Sequence, residues 1–174
     1  GALVTIQGST GSTTFTSTLN VNGFYGGGIL TIQGNTGETD ATAVHTTQDV
    51  VWDFTTSSGT NSLDMQNNIC LVVVQNIRFD VSDTKVGIRT NRSRVSAIQY
   101  NYFNVDGASN AGRGLIAQRF SGVNALKNAI SGGQYGLMAV EGATIVSTGN
   151  DTSGTLPQYG LNAYTGGVIA KASA

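Results

Sequence analysis

Apolar residues alternate with polar ones inside short segments of this chain, and the segments return at a roughly constant interval. Val4-Thr5-Ile6-Gln7-Gly8 is echoed by Leu30-Thr31-Ile32-Gln33-Gly34 at an offset of 26. Further on, Gly87-Ile88, Gly114-Leu115, Gly136-Leu137 and Gly160-Leu161 recur at intervals of 27, 22 and 24. Self-similarity at such a period marks a stacked repeat. Counting each repeat from its glycine as zero, position +1 reads Leu63, Ile88, Leu115, Leu137, Leu161 and position +3 reads Met65, Thr90, Ala117, Ala139, Ala163. Position +9 reads Val4, Leu30, Trp52, Leu71, Ser96, Val123, Ile145, Ile169. Position +11 reads Ile6, Ile32, Phe54, Val73, Ile98, Ala125, Ser147, Lys171. Ser62 takes the place of glycine in one repeat, and Ala43 in another.

Apolar pairs two residues apart are the signature of strands with one buried face. Runs such as Thr13-Thr14-Phe15-Thr16-Ser17-Thr18 are β-branched and lack the 3.6-residue spacing of an amphipathic helix. Position +14 reads Ser9, Asn35, Ser57, Asn76, Asn101, Asn128, Asn150. Asparagine tolerates a left-handed backbone and can bond its amide to the equivalent amide one coil away, ~4.8 Å along a stack. The pattern therefore predicts a right-handed parallel β-helix of about eight coils, ~19–27 residues each. An antiparallel β-sandwich shares the strand spacing. Five columns agreeing under one numbering favour the stack.

With 174 residues the chain is one domain's worth of material, long enough to bury a continuous core. The absence of an initiator Met, with a strand-like run already under way at Leu3, suggests that residues 1–174 are a single domain from a longer or processed chain. A net charge of −1 argues against a general nucleic-acid binder, which needs surplus Lys and Arg. Charge placement says more. Residues 1–77 hold no Lys or Arg and five acids, residues 78–127 eight bases and three acids, and residues 128–174 one base and two acids. In a stacked fold these become bands along the axis. No apolar run approaches the ~18 residues of a membrane span. Cys70 is alone in Ile69-Cys70-Leu71-Val72-Val73-Val74 and reads as a buried structural thiol.

Asn22-Gly23-Phe24-Tyr25-Gly26-Gly27-Gly28-Ile29-Leu30-Thr31-Ile32-Gln33-Gly34, Val74-Gln75-Asn76-Ile77-Arg78-Phe79 and Tyr135-Gly136-Leu137-Met138-Ala139-Val140-Glu141-Gly142-Ala143 together resemble the β-helical shafts of bacteriophage tailspikes and tail appendages. The wording also resembles the broader pectate-lyase-like superfamily. The resemblance spans nearly the whole chain and rests on general β-helix grammar. It implies a parallel homotrimer in an extracellular virion tail that binds, and in many members cleaves, bacterial surface polysaccharide. The chain carries no recognisable particle-binding head or globular trimerisation domain.

A glycosidase needs two carboxylates ~5–10 Å apart. Asp49, Asp53, Asp64, Asp80, Asp83, Asp106, Glu141 and Asp151 are the candidates, and surface solvation accounts for each. Asp53 is expected to face out, and Asp80 and Asp83 to lie in a loop. Asp80, Asp83, Lys85 and Arg89 have the residue types of a Ca²⁺-dependent lyase without its spacing. His45 is the only histidine and sits in a polar stretch, so no triad or metal centre can be built on it. No catalytic residue, metal or cofactor is assigned. The binding candidates are Arg92, Arg119 and Glu141, which share position +5, with Arg94 nearby and Tyr100 and Tyr102 flanking Asn101. Arg119 is within reach of Glu141 one coil on. Cationic forks beside exposed rings suit a glycan and equally suit a subunit interface. The expected function is a polysaccharide-binding virion shaft. A depolymerase is the first alternative and a noncatalytic secreted or cell-surface filament the second.

Overall fold

The computed structural model describes residues 3–34, 49–94, 96–107, 111–152 and 157–172, and all the regular structure among them is β-strand. The first turn is β1 (Leu3–Gln7), β2 (Gly11–Thr14) and β3 (Leu19–Asn22), and the second is β4 (Ile29–Gln33), β5 (Val50–Asp53) and β6 (Asn61–Gln66). Next come β7 (Leu71–Gln75), β8 (Arg78–Val81) and β9 (Val86–Asn91), followed by β10 (Ser96–Gln99), β11 (Tyr102–Val105) and β12 (Arg113–Gln118). The fifth turn is β13 (Gly122–Leu126), β14 (Ala129–Ser131) and β15 (Tyr135–Val140). The chain closes with β16 (Thr144–Thr148), β17 (Tyr159–Tyr164) and β18 (Val168–Ala172). Each strand pairs in parallel with its equivalents one turn away, giving sheet A with seven strands, sheet B with five and sheet C with six. The molecule is a parallel β-solenoid of about six turns.

Stacking at this short repeat makes the core a set of columns. On sheet C, Leu19, Leu63, Ile88, Leu115, Leu137 and Leu161 are in register, and Val21, Met65, Thr90, Ala117, Ala139 and Ala163 form the second column. The +1 and +3 positions are thus as expected, extended upward by Leu19 and Val21. Sheet B contributes Trp52, Phe79, Phe103 and Ile130. Phe79 and Phe103 stack at 5.4 Å, and Phe54 stacks on Phe15 at 4.7 Å, geometries that favour ring pairs. The repeated glycines have a steric cause. A Cβ on Gly114 would lie 2.9 Å from the Gly136 carbonyl oxygen and 3.0 Å from Ile130.

Sheet A corrects the expected register. Its inner columns are Val4, Leu30, Val72, Ser96, Val123, Ile145, Ile169 and Ile6, Ile32, Val74, Ile98, Ala125, Ser147, Lys171. Leu71 and Val73 therefore give way to Val72 and Val74, a one-residue shift that turns Leu71 and Val73 to the outer face. Trp52 and Phe54 do not begin a coil of their own. Trp52 is in β5, the second strand of the turn that starts at Leu30 and returns at Val72. That accounts for about six turns in place of eight, since an apolar pair from a third sheet obeys the same two-residue period as a new coil. Ala43, His45 and Asn35 lie outside the described residues.

The corner between sheets A and B holds the asparagines. Asn101 donates to Asn128 Oδ1 at 3.2 Å and Asn128 to Asn150 Oδ1 at 2.8 Å. Their Nδ2 groups also reach the carbonyls of Val74, Ile98 and Ala125, so buried backbone oxygens at the bend are satisfied. Asn76 stands one residue earlier. It takes the left-handed position (φ 57°) that Tyr100 (φ 57°) and Lys127 (φ 49°) take in later turns, while the backbone N–H of Ile77 donates to Asn101 Oδ1. Ser57 lies after β5 on the way to sheet C and accepts from the Gly59 N–H, away from this corner. Two further ladders are present. Gln7, Gln33, Gln75 and Gln99 bond amide to amide along the outside of sheet A. Asn68, Ser93 and Ser121 line the corner between sheets C and A.

Asn128→Ala should cost about 3 kcal/mol in chemical denaturation, because it strands the buried N–H of Asn101 and the carbonyl of Ile98. Gln99→Ala, which breaks a half-exposed bond, should cost about 1 kcal/mol. Gly114→Ala should cost about 1–3 kcal/mol through overlap with fixed backbone.

Candidate functional site

The side chains accessible for binding depend on which face of each sheet is covered. At β12 and β15, sheet C is apolar on both faces. Its outward Val86, Ile116, Met138 and Val140 are buried and pack with Tyr135, giving β12 and β15 the near-continuous hydrophobic runs of a sheet buried on both sides. Above them on the same face, Arg89 holds the buried Asp64 through two hydrogen bonds, one of 2.9 Å from Nε, and Gln66 adds a third at 2.7 Å. Arg113, Tyr135 and Tyr159 stand in register along one edge of this sheet, with the guanidinium 5.7 Å from the first ring and the rings 5.5 Å apart.

The corner between sheets C and A is different. Asn67, Arg92, Arg119, Glu141 and Thr165 each occupy its left-handed position, with φ between 49° and 54°. The backbone there turns each of these side chains outward in a single column. Arg119 Nε donates to Glu141 Oε2 at 3.2 Å, with both side chains about half exposed, as their shared position suggested. Arg92 and Arg94 are exposed beside them. In the later turns a second residue joins the bend, and here Phe120 (φ 62°) stands where Gly142 (φ 74°) and Gly166 (φ 77°) follow. Phe120 is 84% exposed, more than any other large apolar residue described. A bulky residue with positive φ carries backbone strain of about 1–3 kcal/mol. Phe120 bears that strain without the compensation of burial.

Other exposed apolar residues lie along this same corner. Phe24, Tyr25 and Ile69 occupy its upper bends, with Leu3 and Ile29 at the adjoining ends of β1 and β4. Tyr164 and Val168 flank its lowest bend. The result is a ridge parallel to the solenoid axis, apolar and aromatic at both ends and cationic in the middle. Phe24 and Tyr25 also border a cleft with Gly26, Gly27 and Gly28, and Cys70 lies at its base, buried.

The six binding candidates do not form one group. Arg92, Arg94, Arg119 and Glu141 are together on the ridge. Tyr100 is at the far end of β10, ~20 Å of extended chain from Arg94, and Tyr102 opens β11 on sheet B, beyond the corner. Tyr100 takes the left-handed bend at that corner. Tyr102 is half-buried beneath the Arg78 guanidinium at 5.5 Å. Phe120 was missed, although its signal was present: once Arg119 is aligned with Glu141, the next residue is phenylalanine where the following coil has glycine.

The carboxylates are dispersed. Asp53 faces out, as expected, but from sheet B, where it neighbours Asp80. Asp80 is in β8 and not in a loop. Asp53 Oδ1 accepts from the Thr55 N–H and hydroxyl. Asp80 Oδ1 accepts from Arg78 at 2.7 Å and Asn104 at 2.9 Å. Of the residues weighed for a lyase, Arg89 pairs with Asp64, and Lys85 Nζ is held by the carbonyls of Phe54 and Ser57. Asp80, Lys85 and Arg89 are thus each held by different partners. Among the described residues no cluster of His, Cys, Asp or Glu could hold a metal ion. Compared with protein-family models, curated proteins and solved structures, the chain matches none.

Because the Arg119–Glu141 pair is solvent-exposed, Arg119→Ala should change stability by no more than about 1 kcal/mol. Phe120→Gly should raise it by about 1 kcal/mol by relieving the left-handed strain. Thermal melts of the two variants check both.

Proposed function

We propose that this chain is a noncatalytic glycan-binding shaft, the β-helical part of a tailspike-like virion appendage, and that it holds host surface polysaccharide against the ridge between sheets C and A. The observation that carries this reading is Phe120, an exposed and strained aromatic residue set among Arg92, Arg94, Arg119 and Glu141. A side chain that costs stability is retained for what it touches. Guanidinium forks bind carboxylate and hydroxyl oxygens in pairs, and aromatic rings offer their faces to the apolar side of a sugar. The ridge runs along the axis, and its functional groups repeat at the coil spacing, comparable to the length of one sugar unit in an extended chain. An acidic polysaccharide lying lengthwise would meet one guanidinium per coil at Arg92 and Arg119. Parallel homotrimerisation and an extracellular position on the virion belong to the same proposal.

Depolymerase activity is the weaker reading. Asp64, Asp80 and Glu141 are each engaged by an arginine, and the adjacent Asp53 and Asp80 stand on the outer face of a sheet with Oδ1 of each held by hydrogen-bond donors.

Binding to immobilised bacterial capsular polysaccharides, an acidic polyuronate and a neutral glucan tests the proposal. The acidic glycan should bind, and raising NaCl to about 0.5 M should weaken it through screening. Replacing Arg92, Arg94 and Arg119 together with alanine should reduce affinity at least about tenfold. Phe120→Gly should do the same while the protein becomes more stable. Retention of glycan that is indifferent to these changes would contradict the ridge as the site, and release of shortened oligosaccharides would favour the depolymerase.

A further inference from the structure

The three outer faces of the solenoid differ in charge. Sheet B carries Asp53, Arg78 and Asp80 on its outer face, and sheet C carries Asp64, Arg89 and Arg113. Sheet A has seven strands, and among the described residues none of its outward side chains is charged. Its middle outward column runs from Thr5 through Ala97 to Ala170 with only Thr, Val, Ala and Asn. On the side of sheet B stands the amide ladder from Gln7 to Gln99, continued by Leu126, Thr148 and Ala172. Ile29, Val146 and Val168 on this face are 40%, 36% and 52% exposed, so the chain itself leaves them uncovered. Charge returns at the margins, with Arg92, Arg94, Arg119 and Glu141 on the bend towards sheet C and Lys127 on the bend towards sheet B. A surface kept in water ordinarily carries about a quarter to a third charged residues. Loss of charge inside a rim that keeps it is the compositional mark of an interface core.

We propose that the outer face of sheet A is the surface through which copies of this chain meet, side by side and with their axes parallel. The choice of this face rests on the parallel homo-oligomer of the proposed function and names what holds it together. Rotation about an axis parallel to the solenoid brings equivalent turns to the same height, so a charge on the shared face would meet its own like. Only an uncharged face can be used in that way, and sheet A alone among the three is uncharged. Hydroxyl and amide groups such as those of Thr31 and Gln75 both donate and accept, so an identical face can satisfy them. Orientation follows from the margins. In parallel copies the arginine-bearing margin of one lies beside the sheet B margin of the next. Antiparallel copies would gather Arg92, Arg94 and Arg119 of both on one side, where like charges repel. Seven strands, five residues wide at β1 and β4, give a face of about 29 Å by about 16 Å. A second copy laid on its roughly 500 Å² would bury about 1,000 Å² in all, the area at which a specific interface begins. Arg92, Arg119 and Phe120 point outward from the bordering bend and stay open to glycan when the face is covered.

Sedimentation velocity of the 174-residue chain over a wide concentration range tests the face. The parent chain should sediment as an oligomer. Ala97→Lys with Val146→Lys puts two charges into the middle column and should weaken association at least about a hundredfold, whereas Ser12→Lys on the outer face of sheet B should leave it unchanged. All three positions point away from the core, so circular dichroism should show both variants folded. Orientation is read from cysteines placed singly in a Cys70→Ser background. Thr5→Cys and Ala170→Cys should each cross-link to the same position of another copy through a short bis-maleimide. Cross-linking that appears only when the two variants are mixed would mean antiparallel copies and would overturn the proposal. A double-lysine variant that associates as the parent does would overturn the face and leave a parallel assembly built on another one. A parent chain that is monomeric at every concentration would overturn the face and the assembly together. Neither result bears on glycan retention by the ridge, which a single copy supplies.

Discussion

Parallel pairing between successive turns is the constraint from which the rest of this structure follows. Each strand takes hydrogen-bonding partners only from the turn before and the turn after, and the spacing of ~4.8 Å leaves no freedom to slip without turning apolar side chains outward. Equivalent residues must therefore stand over one another. Leucine stacks on leucine in sheet C, glycine on glycine beside it, and Phe79 on Phe103 in sheet B. Corners are the difficult places, because strands end there and backbone groups lose their ladder. The chain meets this with left-handed residues that reverse direction and with side-chain amides that stand in for the missing partners. Asn101, Asn128 and Asn150 do so at one corner, and Asn68 with Ser93 and Ser121 at another.

The same constraint separates what is structural from what is free to vary. Inward columns are fixed by packing, and ladder positions by buried hydrogen bonds. The left-handed residue of the corner between sheets C and A points away from both. It is free to be Asn67, Arg92, Arg119, Glu141 or Thr165, and the neighbouring position is free to be Phe120. Binding chemistry on this scaffold therefore collects along a corner, in a line set by the repeat. The outer face of sheet C, where Arg89 holds the buried Asp64 and Ile116 and Met138 are buried, contributes rigidity instead.

Much of this was legible from the sequence, because a stacked fold writes itself as a period. The sheet C columns, the outward turn of Arg92, Arg119 and Glu141, the Arg119–Glu141 contact and three of the ladder asparagines are all local consequences of register. The number of turns was not legible. Three sheets with one two-residue alternation look alike, and the turn from Leu30 to Val72 is far longer than the others, so Trp52 passed for the start of a new coil. Asn76 was misplaced for a related reason. The bend uses two adjacent positions, both hospitable to asparagine, and only the pairing of Gln75 with Gln99 shows which one Asn76 occupies. The distance between Tyr100 and the arginine belt was hidden too, since residues close in sequence lie at opposite ends of one strand.

Pulsed electron-electron resonance between nitroxides on the outer face of sheet A measures the stacking directly. In a Cys70→Ser background, one label at Ala170 is paired in turn with labels at Ala97, Val73, Thr31 and Thr5, all members of one registered column. The solenoid requires the backbone separations to rise by one coil spacing per turn, from about 14 Å at Ala97 to about 29 Å at Thr5. The step between Val73 and Thr31 should be no larger than its neighbours despite the longer stretch of chain between them. Distances that follow sequence separation, or that fall back towards Ala170 as the labels move up the chain, would contradict the stack of coils.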